Sequence, residues 1–298
     1  MFQADVNTGF VRQLSFGGDS AYNHGMGCTS DRLAALRRLV SRYPSALLGY
    51  SGGVDSSLLA VVLRQELGPA RMRAAIGRSA SYPEAQWRAA RAIAVQWDVP
   101  IVEVETRELA DPAYLANPTN RCFFCKAELW ARLGTVAREL GFAVICDGTN
   151  TDDLREHRPG RAAGIAADVQ SPLAEAGMSK ADVRAAAAAV GLANWDAPAA
   201  PCLSSRVQYG LRITAARLGQ VEAAEAYLRE LGVTGDVRVR HLGPSARVEV
   251  EPSWIPWLAT RWEDIASRFG ALGFESAELD PHGYRRGSLL TAPRAVSG

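Results

Sequence analysis

The stretch Ala46-Leu47-Leu48-Gly49-Tyr50-Ser51-Gly52-Gly53-Val54-Asp55-Ser56-Ser57-Leu58-Leu59-Ala60-Val61-Val62-Leu63 decides the fold. Its first five residues read as a short buried strand, and the run from Ser56 onward reads as an apolar helix. Between them, two adjacent glycines let the backbone turn tightly and present successive amide N–H groups to an anion. The hydroxyls of Ser51, Ser56 and Ser57 add donors, and the helix aims its positive end at the same spot. This is a phosphate cradle, although it lacks the GxxxxGK[ST] spacing of a Walker A loop. Asp55, beside the phosphates, suits Mg²⁺. An ordinary glycine turn with a serine cap is the competing reading, which the placement of all seven residues between strand and helix argues against.

Working outward, apolar runs at 72–77, 100–105 and 142–147 read as further strands, with helical patterns between them. Such alternation predicts an α/β fold, a parallel sheet with helices on both faces. Ligands then bind beyond the carboxyl ends of the strands. Upstream, residues 1–30 show no sustained periodicity and are expected to form a flexible leader, with Asp31 capping the helix that follows. Downstream, Pro198 and Pro201 interrupt the pattern and place a domain boundary after residue 195. The expected domains are therefore 31–195 for the nucleotide and 196–298 for a small α+β unit.

The chain has 298 residues, and its 33 basic and 32 acidic side chains leave a net charge of +1. That balance offers no global case for nucleic acid or a membrane surface. Apolar runs such as 58–63 reach only six residues, far short of the ~20 a membrane helix needs. With no secretory layout at the start, the expectation is a cytoplasmic protein. Five cysteines, an odd number, argue for reduced thiols rather than a disulfide scaffold. Only Lys126 and Lys180 are lysines among the basic residues. Genomic base composition explains most of that bias, yet the two survivors mark candidate sites where a guanidinium would not fit. The four histidines show no ligand spacing, which removes support for a histidine-based hydrolase.

Three further groups carry chemistry. Asp147-Gly148-Thr149-Asn150-Thr151-Asp152-Asp153, followed by Arg158, lies at the end of the fourth strand. Asp152 and Asp153 offer oxygen ligands to Mg²⁺, and Arg158 offsets phosphate charge; a polar turn is the alternative. Lys180 and Arg184 share a helix face and could reach a phosphate together, or form a solvated basic face. Cys122 and Cys125 form a CxxC at a helix start, and Cys202 follows 77 positions after Cys125. A redox pair, a metal site and inert thiols all remain open for these three. Arg206 beside Cys202 would favour a thiolate. Cys28 and Cys146 read as bystanders.

The SGGVDSS string resembles the PP-loop of the ATP pyrophosphatases, which split ATP between the α and β phosphates to adenylate a substrate. With NPTNRCFFCK, DGTNTDDLREHRPG, SPLAEAG, APCLSSR, DVRVRHLGPSARVEV and LDPHGYRRGS, the chain resembles the LarE family of ATP-dependent sulfur transferases over roughly residues 31–288. The resemblance implies that Ser51, Gly52, Gly53, Asp55, Ser56, Ser57, Asp147, Thr149, Asp152, Arg158 and Lys180 hold ATP and Mg²⁺. It implies adenylation and thiolation of the carboxylates of pyridinium-3,5-biscarboxylic acid mononucleotide, in nickel-pincer nucleotide cofactor biosynthesis. Members with three cysteines hold a 4Fe–4S cluster, so Cys122, Cys125 and Cys202 are expected as cluster ligands, with Cys202 not consumed. Asp55 and Cys202 are the expected catalytic residues. Arg206, Glu225, Arg238 and Arg240 are expected to bind substrate; alternation puts the last two on one strand face, where a solvated face is the alternative. A small sulfide donor, handover to the nickel-inserting enzyme and a homo-oligomer are further expectations. The tail reads GSLL where the family commonly reads GSMN. A PP-loop tRNA thiolase and a nucleotide-binding redox or metal sensor are the rival readings.

Overall fold

The computed structural model describes residues 20–156 and 158–291, with side chains from 29 to 289. The helices are α1 (Ser20–Val40), α2 (Val54–Leu67), α3 (Glu84–Gln96), α4 (Pro112–Leu115), α5 (Arg121–Leu140), α6 (Pro159–Ala166), α7 (Pro172–Glu175), α8 (Lys180–Val190), α9 (Ala215–Glu230), α10 (Ile255–Ala259), α11 (Trp262–Ala271) and α12 (Ser288–Thr291). The strands are β1 (Ala46–Gly49), β2 (Met72–Arg78), β3 (Ile101–Glu105), β4 (Val144–Cys146), β5 (Val237–His241), β6 (Ser245–Val250) and β7 (Ser276–Leu279). All pairings in the first sheet are parallel, in the order β3-β2-β1-β4. The chain thus leaves β1 in one direction through β2 and β3, then returns to its other side with β4. The crevice of such a sheet opens where the order reverses, between the ends of β1 and β4.

Period-two alternation sorts the strand residues onto two faces. Ala46, Leu48, Ala74 and Ile76 pack with α1, α2 and α8, whereas Leu47, Ala75 and Val104 pack with α5 and α6. The first of these layers buries α2 on nearly every side, which explains its uninterrupted apolar run. The second sheet, β5-β6-β7, pairs β5 with β6 antiparallel and β6 with β7 parallel, and packs its own core against α9 and α11. A further cluster joins the two parts: Tyr114, Phe124 and Cys125 from one meet Leu203, Val207, Ile213 and Leu218 from the other. Shared packing thus spans the expected boundary after residue 195.

Two expectations about the start of the chain change. Residues 1–19 of the expected leader lie outside the described residues, as does the Cys28 side chain. From Ser20 the chain is already helical, so Asp31 lies inside α1 rather than capping it. Ser179 caps α8 in a reciprocal box with Asp182. Among the described residues, no helix is long and apolar enough to cross a membrane.

Candidate functional site

The loop after β1 is held from several sides. Gly52 has φ +73°, and a Cβ there would come 2.5 Å from the Ala90 Cβ, so α3 closes against a position only glycine suits. Tyr82 Oη and Gln86 Nε2 donate to Ser51 O at 2.9 and 3.0 Å, and Ser56 Oγ donates to Gly53 O at 3.1 Å. Ser57 differs from the other serines. It is fully buried, with its hydroxyl between Tyr50 Oη and Asn194 Nδ2, so it braces the loop from within the protein. The β4 loop packs directly on this helix start, since a Cβ on Gly148 would meet Ser56 N at 2.9 Å.

Asp55 occupies the mouth of the crevice. Lys180 Nζ contacts its Oδ2 at 2.5 Å and Asn150 Nδ2 donates to Oδ1 at 3.1 Å. Burial raises the Asp153 pKa, as does the negative charge of Asp55, against the lowering effects of Arg158 and Lys180. Each of these carboxylates already has a cation beside it, Lys180 at Asp55 and Arg158 at Asp153, and both offer the oxygen donors that a hard divalent cation takes. Asp152 accepts from Lys180 N at 2.9 Å and so caps α8. Asp147 is saturated by Thr149 and Ser171 and shapes the turn. Arg158 pairs with Asp153 at 2.7 Å. Lys180 and Arg184, read as either reaching a phosphate together or forming a solvated face, take different acceptors: Lys180 contacts Asp55, and Arg184 Nη2 donates to Ala197 O at 3.2 Å.

The three cysteines come from two segments that are stitched together. Asn117, fully buried with φ +51°, donates through Nδ2 to Val207 O, Gln208 O and Leu211 O, while its Oδ1 accepts from Arg121 Nη1. Tyr114 Oη and Ser204 Oγ lie 2.5 Å apart. These contacts bind the start of α5, carrying Cys122 and Cys125, to the turn after Cys202. Burial raises the Cys125 thiol pKa, and the charge of Cys202 raises it further. At Cys122, whose side chain reaches solvent, the surrounding protein and then Cys202 raise it, tempered by Arg121 and Lys126. Among the described residues, no three His, Cys, Asp or Glu side chains converge on a single metal ion. Three thiolates on separate irons of one cluster need not converge in that way. The group adjoins the crevice: Leu203 N donates to Ser81 O beyond β2 at 2.8 Å, and a Cβ on Gly160 would lie 3.2 Å from Cys122 O.

The arginines surround the Cys202 turn. Arg206 forms a bidentate pair with Glu225 at 2.9 and 3.1 Å and also donates to Pro201 O and Cys202 O. Arg238 and Arg240 are both buried, which removes the solvated-face alternative. Arg238 reaches Asp236 at 3.0 Å and Ala199 O at 3.4 Å, and lies over the Tyr284 ring. Burial lowers its pKa, and so does the nearby Arg206 charge. Arg240 holds Glu249 at 2.7 Å and Ser205 O at 3.1 Å. Sequence reasoning missed Glu249, which is fully buried, accepts from Ser288 Oγ of the GSLL tail and leaves Oε1 unpartnered. It also missed Asn117 and Asn194. Their signal lay inside quoted motifs or beside them, but an asparagine in a turn looks like any other.

No family model matches the chain. It is 41% identical to an uncharacterized protein of Synechocystis sp. over 87% of this chain and 96% of that one. It is 30% identical to the pyridinium-3,5-bisthiocarboxylic acid mononucleotide synthase of Lactiplantibacillus plantarum, over 89% and 95%. An uncharacterized protein of Methanocaldococcus jannaschii is 27% identical over 80% and 90%.

Proposed function

The chain belongs to the LarE family, that of the Lactiplantibacillus plantarum synthase, and from that premise we propose that it is an ATP-dependent sulfur transferase. Its substrate is pyridinium-3,5-biscarboxylic acid mononucleotide, whose carboxylates become thiocarboxylates. A substrate carboxylate oxygen attacks the α-phosphorus of ATP; the bond to the bridging oxygen breaks and pyrophosphate leaves. A sulfur nucleophile then displaces AMP from the acyl-adenylate. Adenylation is needed because a carboxylate oxygen is otherwise a poor leaving group.

The residues divide the work. The amides and hydroxyls after β1 receive the departing pyrophosphate, the donor placement that stabilises charge developing in a transition state. Asp55 and Asp153 supply oxygens for Mg²⁺, with Lys180 moving from Asp55 toward phosphate. Arg158, already at the crevice, offsets the remaining charge. The three thiols suit a 4Fe–4S cluster, because soft sulfur donors are what iron–sulfur groups take. When bound, that cluster supplies an iron without a protein ligand, able to carry an extra sulfide. The chain's own part is to hold Cys122, Cys125 and Cys202 together at the crevice edge. Arg238 and Arg240 receive the substrate phosphate by exchanging backbone carbonyls for it.

The observation that carries this reading is the contact of the Cys202 turn with the segment after β2, at Leu203 N to Ser81 O. It supports the reading by tying the Cys202 turn to the segment that follows β2. The test incubates anaerobically purified protein with Mg²⁺–ATP and the mononucleotide, and follows AMP, pyrophosphate and the exchange of oxygen for sulfur by mass spectrometry. Formation of AMP and thiocarboxylate is expected. Thiolation of tRNA in place of the mononucleotide would overturn the substrate assignment.

A further inference from the structure

The run 194–202 connects the two halves of the site, and its contacts follow a pattern. At one end, Asn194 Nδ2 donates to Gly52 O at 3.0 Å and to Ser57 Oγ at 3.2 Å, while its Oδ1 is buried without a partner. From there the carbonyls are gripped in turn by arginines from three elements. Arg184 takes Ala197 O at 3.2 Å, and Arg238 takes Ala199 O at 3.4 Å. Arg206 takes Pro201 O and Cys202 O at 2.5 and 3.0 Å. Pro198 and Pro201 have no N–H and a fixed φ, so the run is stiff and attached chiefly through its carbonyls. Residues 198–201 are exposed, so the arginine contacts hold the middle of the run.

We propose that Asn194 is a positioning residue that couples nucleotide occupancy of the loop to the placement of Cys202. The inference rests on reading that loop as the ATP site. Its physical basis is one peptide group. The carbonyl that Asn194 grips belongs to the Gly52–Gly53 peptide, whose N–H donates to Ser51 Oγ in a long bond of 3.4 Å that a phosphate oxygen would replace. A phosphate accepting from that N–H polarises the same peptide and strengthens the bond its carbonyl accepts. The grip of Asn194 tightens, and the stiff run passes the ordering on to the Cys202 turn. In the other direction, a phosphate that takes Arg238 from Ala199 O loosens the middle of the run.

Hydrogen–deuterium exchange of the full chain tests this, with and without Mg²⁺ and α,β-methylene ATP. In the wild type, peptides over 49–57 become protected and exchange over 199–206 slows about threefold. Asn194→Ala keeps the first effect and loses the second, and Asn194→Asp, which preserves shape but not the donor, does the same. A purely structural role would raise exchange over 199–206 equally with and without nucleotide, and that result overturns the proposal. So does protection of the loop in the wild type without any change over 199–206, or full transmission in both variants. Absence of protection at the loop itself would defeat the ATP reading, and this inference with it.

Discussion

The loop side of the crevice and the cysteine–arginine side are built in opposite ways. On the loop side, one strand, one loop and one helix follow each other in sequence, and chain connectivity sets their geometry. On the other side, the residues are gathered from α5, the Cys202 turn, α9 and β5, and side chains do the gathering. Arg206, Glu225, Arg238 and Arg240 are spent on backbone carbonyls and on one another. A local motif tolerates losses elsewhere, because its neighbours are fixed by chain connectivity. An assembled site depends on its connectors.

The contrast is broken most strongly at Arg206. Arg206→Ala leaves the mostly buried Glu225 with the Val239 N–H but without its ion-pair partner and should cost about 3–5 kcal/mol in urea denaturation; a loss below about 1 kcal/mol would mean the assembled side is not held through this pair. Asp55→Ala should leave stability nearly unchanged and lower AMP formation about 100–1,000-fold, and undiminished adenylation would remove Asp55 from the metal role. Gly52→Ala, with its Cβ pressed on Ala90, should lower AMP formation about 100-fold through a displaced loop. Wild-type turnover in that variant would show that the loop adapts. Asn117→Ala strands buried carbonyls and should cost about 2–3 kcal/mol, with a parallel fall in the iron and acid-labile sulfide retained anaerobically. Full iron retention would mean that the cysteine segments meet without it.

The smallest effect concerns pH. Burial, then the charge of Arg217, lowers the His241 pKa to about 4. The folded protein therefore binds this proton less readily than the unfolded chain. Stability from His241 is complete above the unfolded value of about 6.5 and is lost as pH falls toward 4. Between pH 6.5 and 5 the loss should be about 1.5 kcal/mol. His241→Gln should flatten the denaturation profile over that window, and an unchanged slope would assign it to other groups.

Particular residues show where legibility ended. The glycine turn at Gly52 and Gly53 between β1 and α2 was readable because strand, turn and helix each leave a local pattern. The parallel sheet followed from alternation alone. Ser57 shared the motif yet faces Tyr50 and Asn194, since burial around a helix cannot be read from a run that is apolar throughout. Lys180 and Arg184 were correctly placed on one helix, but different acceptors, Asp55 and Ala197 O, pulled them apart. The first helix starts earlier than its cap signal, because a polar, glycine-bearing stretch shows no apolar period.

The amino-acid order by itself determined the α/β alternation, the cradle after β1 and the family likeness carried by strings of adjacent residues. Folding alone decided that Cys122 and Cys125 meet the Cys202 turn through Asn117, that the arginines clasp carbonyls, and that Asn194 touches the loop. The reason is range. Backbone geometry and periodicity act between near neighbours and leave marks in the chain, whereas contacts across many residues arise only once burial has selected a single packing.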